Sequence, residues 1–299
     1  MKVDRIQYFI ENLDPEDTGI FDIWGLNLSG EEKRKMLDYS LGLIKKSEED
    51  IVAANVLYSV PLYSQAVYHL QQAVEKVSKA YAVGSFQISQ TEARKPGHIS
   101  PAVFLKALNN HRGFFLSLNN ILKHEGVLDY DCFDPKIFEY NRYTKEFKKS
   151  SDLLATISSE DIDSMLSLYE KYSETISSSK MTESIENLTL DFLEDIKQEL
   201  ENDDSEQWTD VIKLINSKLE NVDTFLKNSH FKYVPLLYPL SLVTYPHWNS
   251  TRYNDATDKK FGYNESLGIV QCFNRLLTLT EEIKDSVKED FESDLLIYQ

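Results

Sequence analysis

Between Tyr63 and Tyr81 the apolar residues Tyr63, Ala66, Val67, Leu70, Ala73, Val74, Val77 and Tyr81 recur at three- and four-residue steps. At 100° per residue they occupy a sector of about 120°, the width of a stripe that a helix buries against its neighbours. Gln65, His69, Gln72, Lys76 and Lys79 fall on a different face. The pattern predicts an amphipathic helix from Pro61 to about Ala82, ending near Gly84. Pro61 suits its first turn, where the missing N–H would be unpaired anyway. Glu75 stands one turn before Lys79, the favourable order for an ion pair along a helix.

Such a helix needs partners, and the surrounding sequence offers helices. Glycine and proline number only 10 and 8 in 299 residues, too few for a sandwich or barrel with a turn every few residues. Ser29 to Glu32 reads as a helix start with acids in its first turn, opening a helix from Glu31 to about Tyr58. Ser85 to Ser100 reads as a polar loop, and Pro101 opens a helix to about Asn109. Further helical patterns between His111 and His230 break near Gly126, Asp134, Ser158, Ser177 and Asp203. Residues 231–248 are apolar, and 249–263 have turn character. A last long helix is expected from about Asn264 to Phe291.

Cys132 and Cys272 form no metal or redox motif, and two unpatterned cysteines fit a reducing compartment. The most apolar stretch, Tyr233 to Tyr245, has 13 residues and two prolines, against the roughly 20 apolar residues of a membrane span. The expectation is a soluble, cytoplasmic protein with no membrane association. No P-loop, dinucleotide fingerprint, zinc-protease motif or nucleophile elbow occurs, so no cofactor and no metal site is expected.

The pattern A-x-x-H-L-Q-Q-A-x-E-K-x-x-K-A, from Ala66 to Ala80, resembles the second helix of HEPN domains. Gly97-His98, a polar turn opening the next helix, is similar to a feature common in that family. Thr251-Arg252-Tyr253-Asn254-Asp255 looks like the family's arginine–tyrosine turn before its last long helix. The resemblance implies an all-α, antiparallel up-and-down helical bundle formed by 31–110 and 231–299. It leaves 1–30 as an irregular leader and 111–230 as an acidic helical insertion. It further implies a prokaryotic setting of phage defence, abortive infection or toxin–antitoxin type. RNA or a nucleotide would be the ligand, a homodimer the assembly, and an antitoxin or nucleotidyltransferase a partner.

Active family ribonucleases carry an arginine followed after four to six residues by a histidine. They cleave RNA without a metal, the arginine stabilising phosphate charge and the histidine moving protons. None of the seven arginines here has that spacing. Arg94 precedes His98 with only three residues between, in a loop, while His247 precedes Arg252 in reversed order. If the two meet across a turn, His247 and Arg252 form an atypical catalytic pair. The alternative is that His247 packs at a helix end and Arg252 pairs with Glu75 or another acid.

His69, Glu75, Lys76, Lys79, Tyr253 and Asp255 complete the candidate substrate-binding set. His69 offers an acid or base, or is a structural histidine. Glu75, Lys76 and Lys79 orient a phosphate, or form helix ion pairs. Tyr253 stacks on a base, or closes the edge of the core. His98 is expected to cap or pack the helix that follows it. The chain therefore reads as an RNA-binding or RNA-cleaving HEPN protein, with a catalytically silent binding module or an all-helical scaffold as the alternatives.

The net charge of −17 argues against nucleic acid only at first sight. Residues 151–230 hold 19 acids and 6 bases. Residues 61–110 hold 2 acids and 5 bases, and 231–275 hold 3 acids and 5 bases. The segments that bear the motifs are mildly basic, and an acidic 151–230 would shield or regulate them.

Overall fold

The computed structural model describes residues 28–110, 140–176, 233–250 and 262–298. These residues form helices, with no strand among them. The structure opens at Ser29, whose hydroxyl accepts from the Glu32 N–H while the Glu32 carboxylate takes the Ser29 N–H at 2.8 Å. This reciprocal cap satisfies two otherwise orphaned donors and starts α1, Gly30–Ser59. Along α1 the buried residues Leu37, Ser40, Ile44, Ser47, Ile51 and Ala54 repeat every three or four positions and form one seam. A connection of only three residues turns the chain into α2, Tyr63–Gly84, which packs along α1. Pro61 lies in that connection, two residues before the helix it was expected to open.

Helix α2 is the centre of the bundle. Its expected stripe is buried: Ala66, Val67, Leu70, Ala73, Val74 and Val77 are all 0% exposed. Its last five residues, from Ala80 to Gly84, are buried all round. Gly84 is required there, because a Cβ would overlap the ring of Phe291.

The stretch expected as a polar loop after α2 is more ordered. Ile88 and Ala93 are buried, and Ser89 and Glu92 form a second reciprocal cap on the short α3, Gln90–Arg94. Gly97 follows in the left-handed region at φ 60°, a conformation that costs glycine little. Then come α4, Pro101–Asn110, α5, Tyr140–Leu154, and α6, Ser159–Ile176.

The apolar stretch expected around 233–245 forms α7, Val234–Thr244, with Pro239 inside it. Its Leu237, Leu240 and Val243 are buried within the bundle. A buried hydrogen bond of 3.0 Å between the Ser78 and Ser241 hydroxyls joins α7 to α2. After α7 come a four-residue turn of helix, α8, His247–Ser250, then α9, Gly268–Gln271, and α10, Phe273–Ile297. Helix α10 starts later and ends later than the sequence pattern predicts. It packs against α1, α2 and α7.

One compact unit consists of Leu28–Asn110, Pro135–Ser173 and Tyr233–Gln299. Most of α5 and α6 therefore belongs with the bundle, although both lie inside the expected insertion over 111–230. Phe147 of α5 joins Ile99, Ala102, Leu105 and Tyr245 in one apolar cluster. The Arg275 guanidinium on α10 grips α6 through Asp163 at 2.7 Å and Glu170 at 2.8 Å. The expected leader falls almost wholly outside the described residues.

Candidate functional site

The polar face of α2 gathers two carboxylates, each shared between a lysine and a histidine. Asp50 of α1 meets His69 Nδ1 at 2.9 Å and also takes Lys76 Nζ. Glu75 takes Lys79 Nζ at 2.7 Å, Gln71 Nε2 at 2.9 Å and His98 Nδ1 at 3.0 Å. The helix supplies these neighbours through its own geometry, since Gln71, Glu75 and Lys79 follow one another at steps of four. Gln72 extends the network by donating to the Gln71 side chain at 2.6 Å. Lys79 also donates to the Gly97 carbonyl at 2.8 Å, pinning the turn that presents His98.

Glu75 is 6% exposed, and an ionised carboxylate so buried needs compensation. Burial pushes its carboxyl up, but Lys79, Gln71 and His98 together hold it below the usual glutamate range. In Asp50, burial is likewise overcome by His69 and Lys76, which hold the carboxyl low. Both acids are thus fixed as anions that orient an imidazole through Nδ1. The His98 side chain is 36% exposed and that of His69 32%, so each ring turns part of its surface to solvent.

His98 also stacks on Trp248, with centroids 4.7 Å apart and planes 21° apart. The sequence suggested a residue that caps or packs α4; its hydrogen bond goes to Glu75 of α2. Its partner Glu75 is 23 residues away, which is why no spacing rule around Arg94 finds it. The Arg94 guanidinium lies 6.0 Å from the centre of the Tyr39 ring instead.

His247 occupies the opposite environment. It opens α8, is 1% exposed, and shares a hydrogen bond of 2.8 Å between Nδ1 and the Tyr263 hydroxyl. Burial pushes its pKa down to about 3. Expected as a catalytic acid or base, His247 lies here as a buried ring bonded to the Tyr263 hydroxyl. Its neighbour Trp248 reaches the polar face of α2 through His98. Arg252, Tyr253 and Asp255 lie outside the described residues.

Of the sequence-derived set, the structure brings together His69 with Lys76 through Asp50, and Glu75 with Lys79. Sequence reasoning missed Asp50, His98 and Trp248 as members of this face. Asp50 had one usable signal, because a carboxylate on the antiparallel neighbour can reach the polar face of α2 near the connection between the two helices.

Residues 41–92 match the HEPN domain family, so the chain bears a HEPN domain over that segment. No curated protein and no solved structure gives a match. Among the described residues no helix is long and apolar enough to cross a membrane.

Proposed function

We propose that this chain, whose residues 41–92 match the HEPN domain family, binds RNA on the polar face of α2 in a prokaryotic defence or toxin–antitoxin setting. The observation that supports the reading is the Glu75–His98–Trp248 arrangement. A buried carboxylate holds the imidazole at Nδ1, an indole backs it, and about one third of the side chain faces solvent. Flat rings that also carry a polar edge suit unstacked bases and phosphates of single-stranded RNA.

The setting follows from what the family resemblance implies, not from the site. The missing arginine–histidine spacing favours binding over cleavage.

Cleavage is the second reading, favoured by one observation. A histidine oriented by a carboxylate is the arrangement that general acid–base catalysis uses, and His98 with Glu75 provides it. The reaction would be a metal-independent phosphodiester cleavage in which His98 replaces His247.

Incubating the full chain with total RNA, with and without EDTA, separates the two. Retained RNA that stays intact supports the binding module. Cleavage that persists in EDTA and is lost in His98→Ala supports the ribonuclease. Neither binding nor cleavage overturns both readings and leaves a protein-binding module or scaffold.

A further inference from the structure

Two imidazoles on the polar face of α2 are built alike. His69 meets Asp50 through Nδ1, and His98 meets Glu75 through Nδ1. Both carboxylates are held as anions, and an ionised carboxylate only accepts hydrogen bonds. Each Nδ1 therefore carries the hydrogen, which leaves Nε2 of the neutral ring as a lone-pair acceptor. Among the described residues no hydrogen bond reaches either Nε2. Both rings are partly exposed, so both can offer that nitrogen to a ligand. The two carboxylates approach α2 within two turns of each other, Asp50 at His69 and Lys76, and Glu75 from the helix itself.

The fixed charges around the rings cancel in pairs. Asp50 is matched by Lys76, and Glu75 by Lys79. Beside His69 stand Asp50 of α1, Lys76 of α2 and the ring of Tyr68. Beside His98 stand Glu75 and Lys79 of α2 and Trp248 of α8. Arg94 and Lys95 precede His98 on its own turn, and the Arg94 guanidinium lies over the Tyr39 ring. Lysine and arginine keep their charge from pH 5.5 to 8, whereas histidine changes its charge within that range. With each lysine matched to a carboxylate, the protons on His69 and His98 set the net charge of the six residues. Protonation adds a positive charge to each ring and turns Nε2 from an acceptor into a donor. That form makes a charge-assisted hydrogen bond to a phosphate oxygen.

We propose that RNA binding on this face is coupled to proton uptake by His69 and His98, so that both rings meet the phosphates as imidazolium and affinity rises as pH falls. The proposal rests on the RNA reading and adds its regulation, with His69 as a second contact beside His98. In a chain of net charge −17, loss of these two charges at higher pH leaves the phosphates facing general repulsion.

The test is fluorescence anisotropy of the full chain with a labelled single-stranded RNA of about twelve nucleotides, within the range of known single-strand sites. Affinity is read at constant ionic strength from pH 8 to pH 5.5, with circular dichroism at each pH to show that the chain stays folded. The variants are His69→Gln, His98→Gln and the two together, because glutamine keeps a donor for each carboxylate and does not titrate. Calorimetry of wild type in two buffers of different ionisation enthalpy counts the protons taken up on binding and requires no variant.

Wild type is expected to gain at least about tenfold in affinity across the range, with a slope of log affinity against pH that approaches two protons. Each single variant should lose about one proton from that slope, and the double variant should bind weakly at every pH. At pH 6.5 the calorimetric uptake should exceed about half a proton per chain. Affinity that is independent of pH, uptake near zero, or a slope that the double variant keeps overturns the coupling and leaves the RNA reading standing. A slope lowered by only one of the single variants overturns the two-ring form. Absence of wild-type binding at every pH overturns the RNA reading itself and the coupling with it.

Discussion

The Nδ1 atom of His98 lies 3.0 Å from Oε2 of Glu75, a carboxylate that is 6% exposed. The pair joins the turn at Gly97 to the centre of α2, so the ring's position depends on a charge inside the bundle. Glu75→Gln removes that charge and leaves Lys79 without its anion. Its expected cost is about 1–3 kcal/mol, in the range for a buried charged hydrogen bond, read from urea midpoints at pH 7. The pH dependence has a definite sign. The folded Glu75 carboxyl lies below its ordinary value, so its contribution is complete above about pH 4.5 and is lost as pH falls through the lowered folded value. Wild type and Glu75→Gln should therefore converge in stability in strong acid; a constant gap down to pH 2 would contradict the assignment.

His247 predicts a different window. Its folded pKa of about 3 lies below the ordinary value near 6.5. Between the two the unfolded chain binds a proton that the folded chain refuses, so stability falls as the pH drops from about 6.5 toward 3. One such proton gives a slope of about 1.4 kcal/mol per pH unit. His247→Gln should flatten the stability curve between pH 6 and 4.5 by about that slope, whatever its offset at pH 7. Parallel curves would show that the ring is not sealed.

Gly84 is pressed against the ring of Phe291, which is 4% exposed. Gly84→Ala inserts a methyl group into that contact and is expected to cost about 1–3 kcal/mol, as overpacking does. Pairing it with Phe291→Leu should recover part of the loss, because the shorter side chain vacates the overlap. Additive losses in a double-mutant cycle would remove the explanation.

The bundle was largely legible because its determinants are local. The stripe from Ala66 to Val77 and the Ser29–Glu32 start are pattern features, and both appear in the structure. The polar face of α2 was equally visible, since its residues share one helix. What the sequence hid was pairing across distance. Asp50 reaches His69 from α1, and His98 reaches Glu75 over 23 residues. Neither partnership leaves a spacing signature. The burial of His247 was not legible either, because a histidine near an arginine reads the same whether it is open or buried.

The central claim, that this HEPN-bearing chain binds RNA through the face around His98, is tested most directly by titrating labelled single-stranded RNA into wild type and His98→Ala. The account predicts saturable binding by the wild type that weakens with salt, and at least about tenfold weaker binding by His98→Ala at equal fold stability. RNA binding that is unaffected by His98→Ala, or absent from the wild type at low salt, would contradict it.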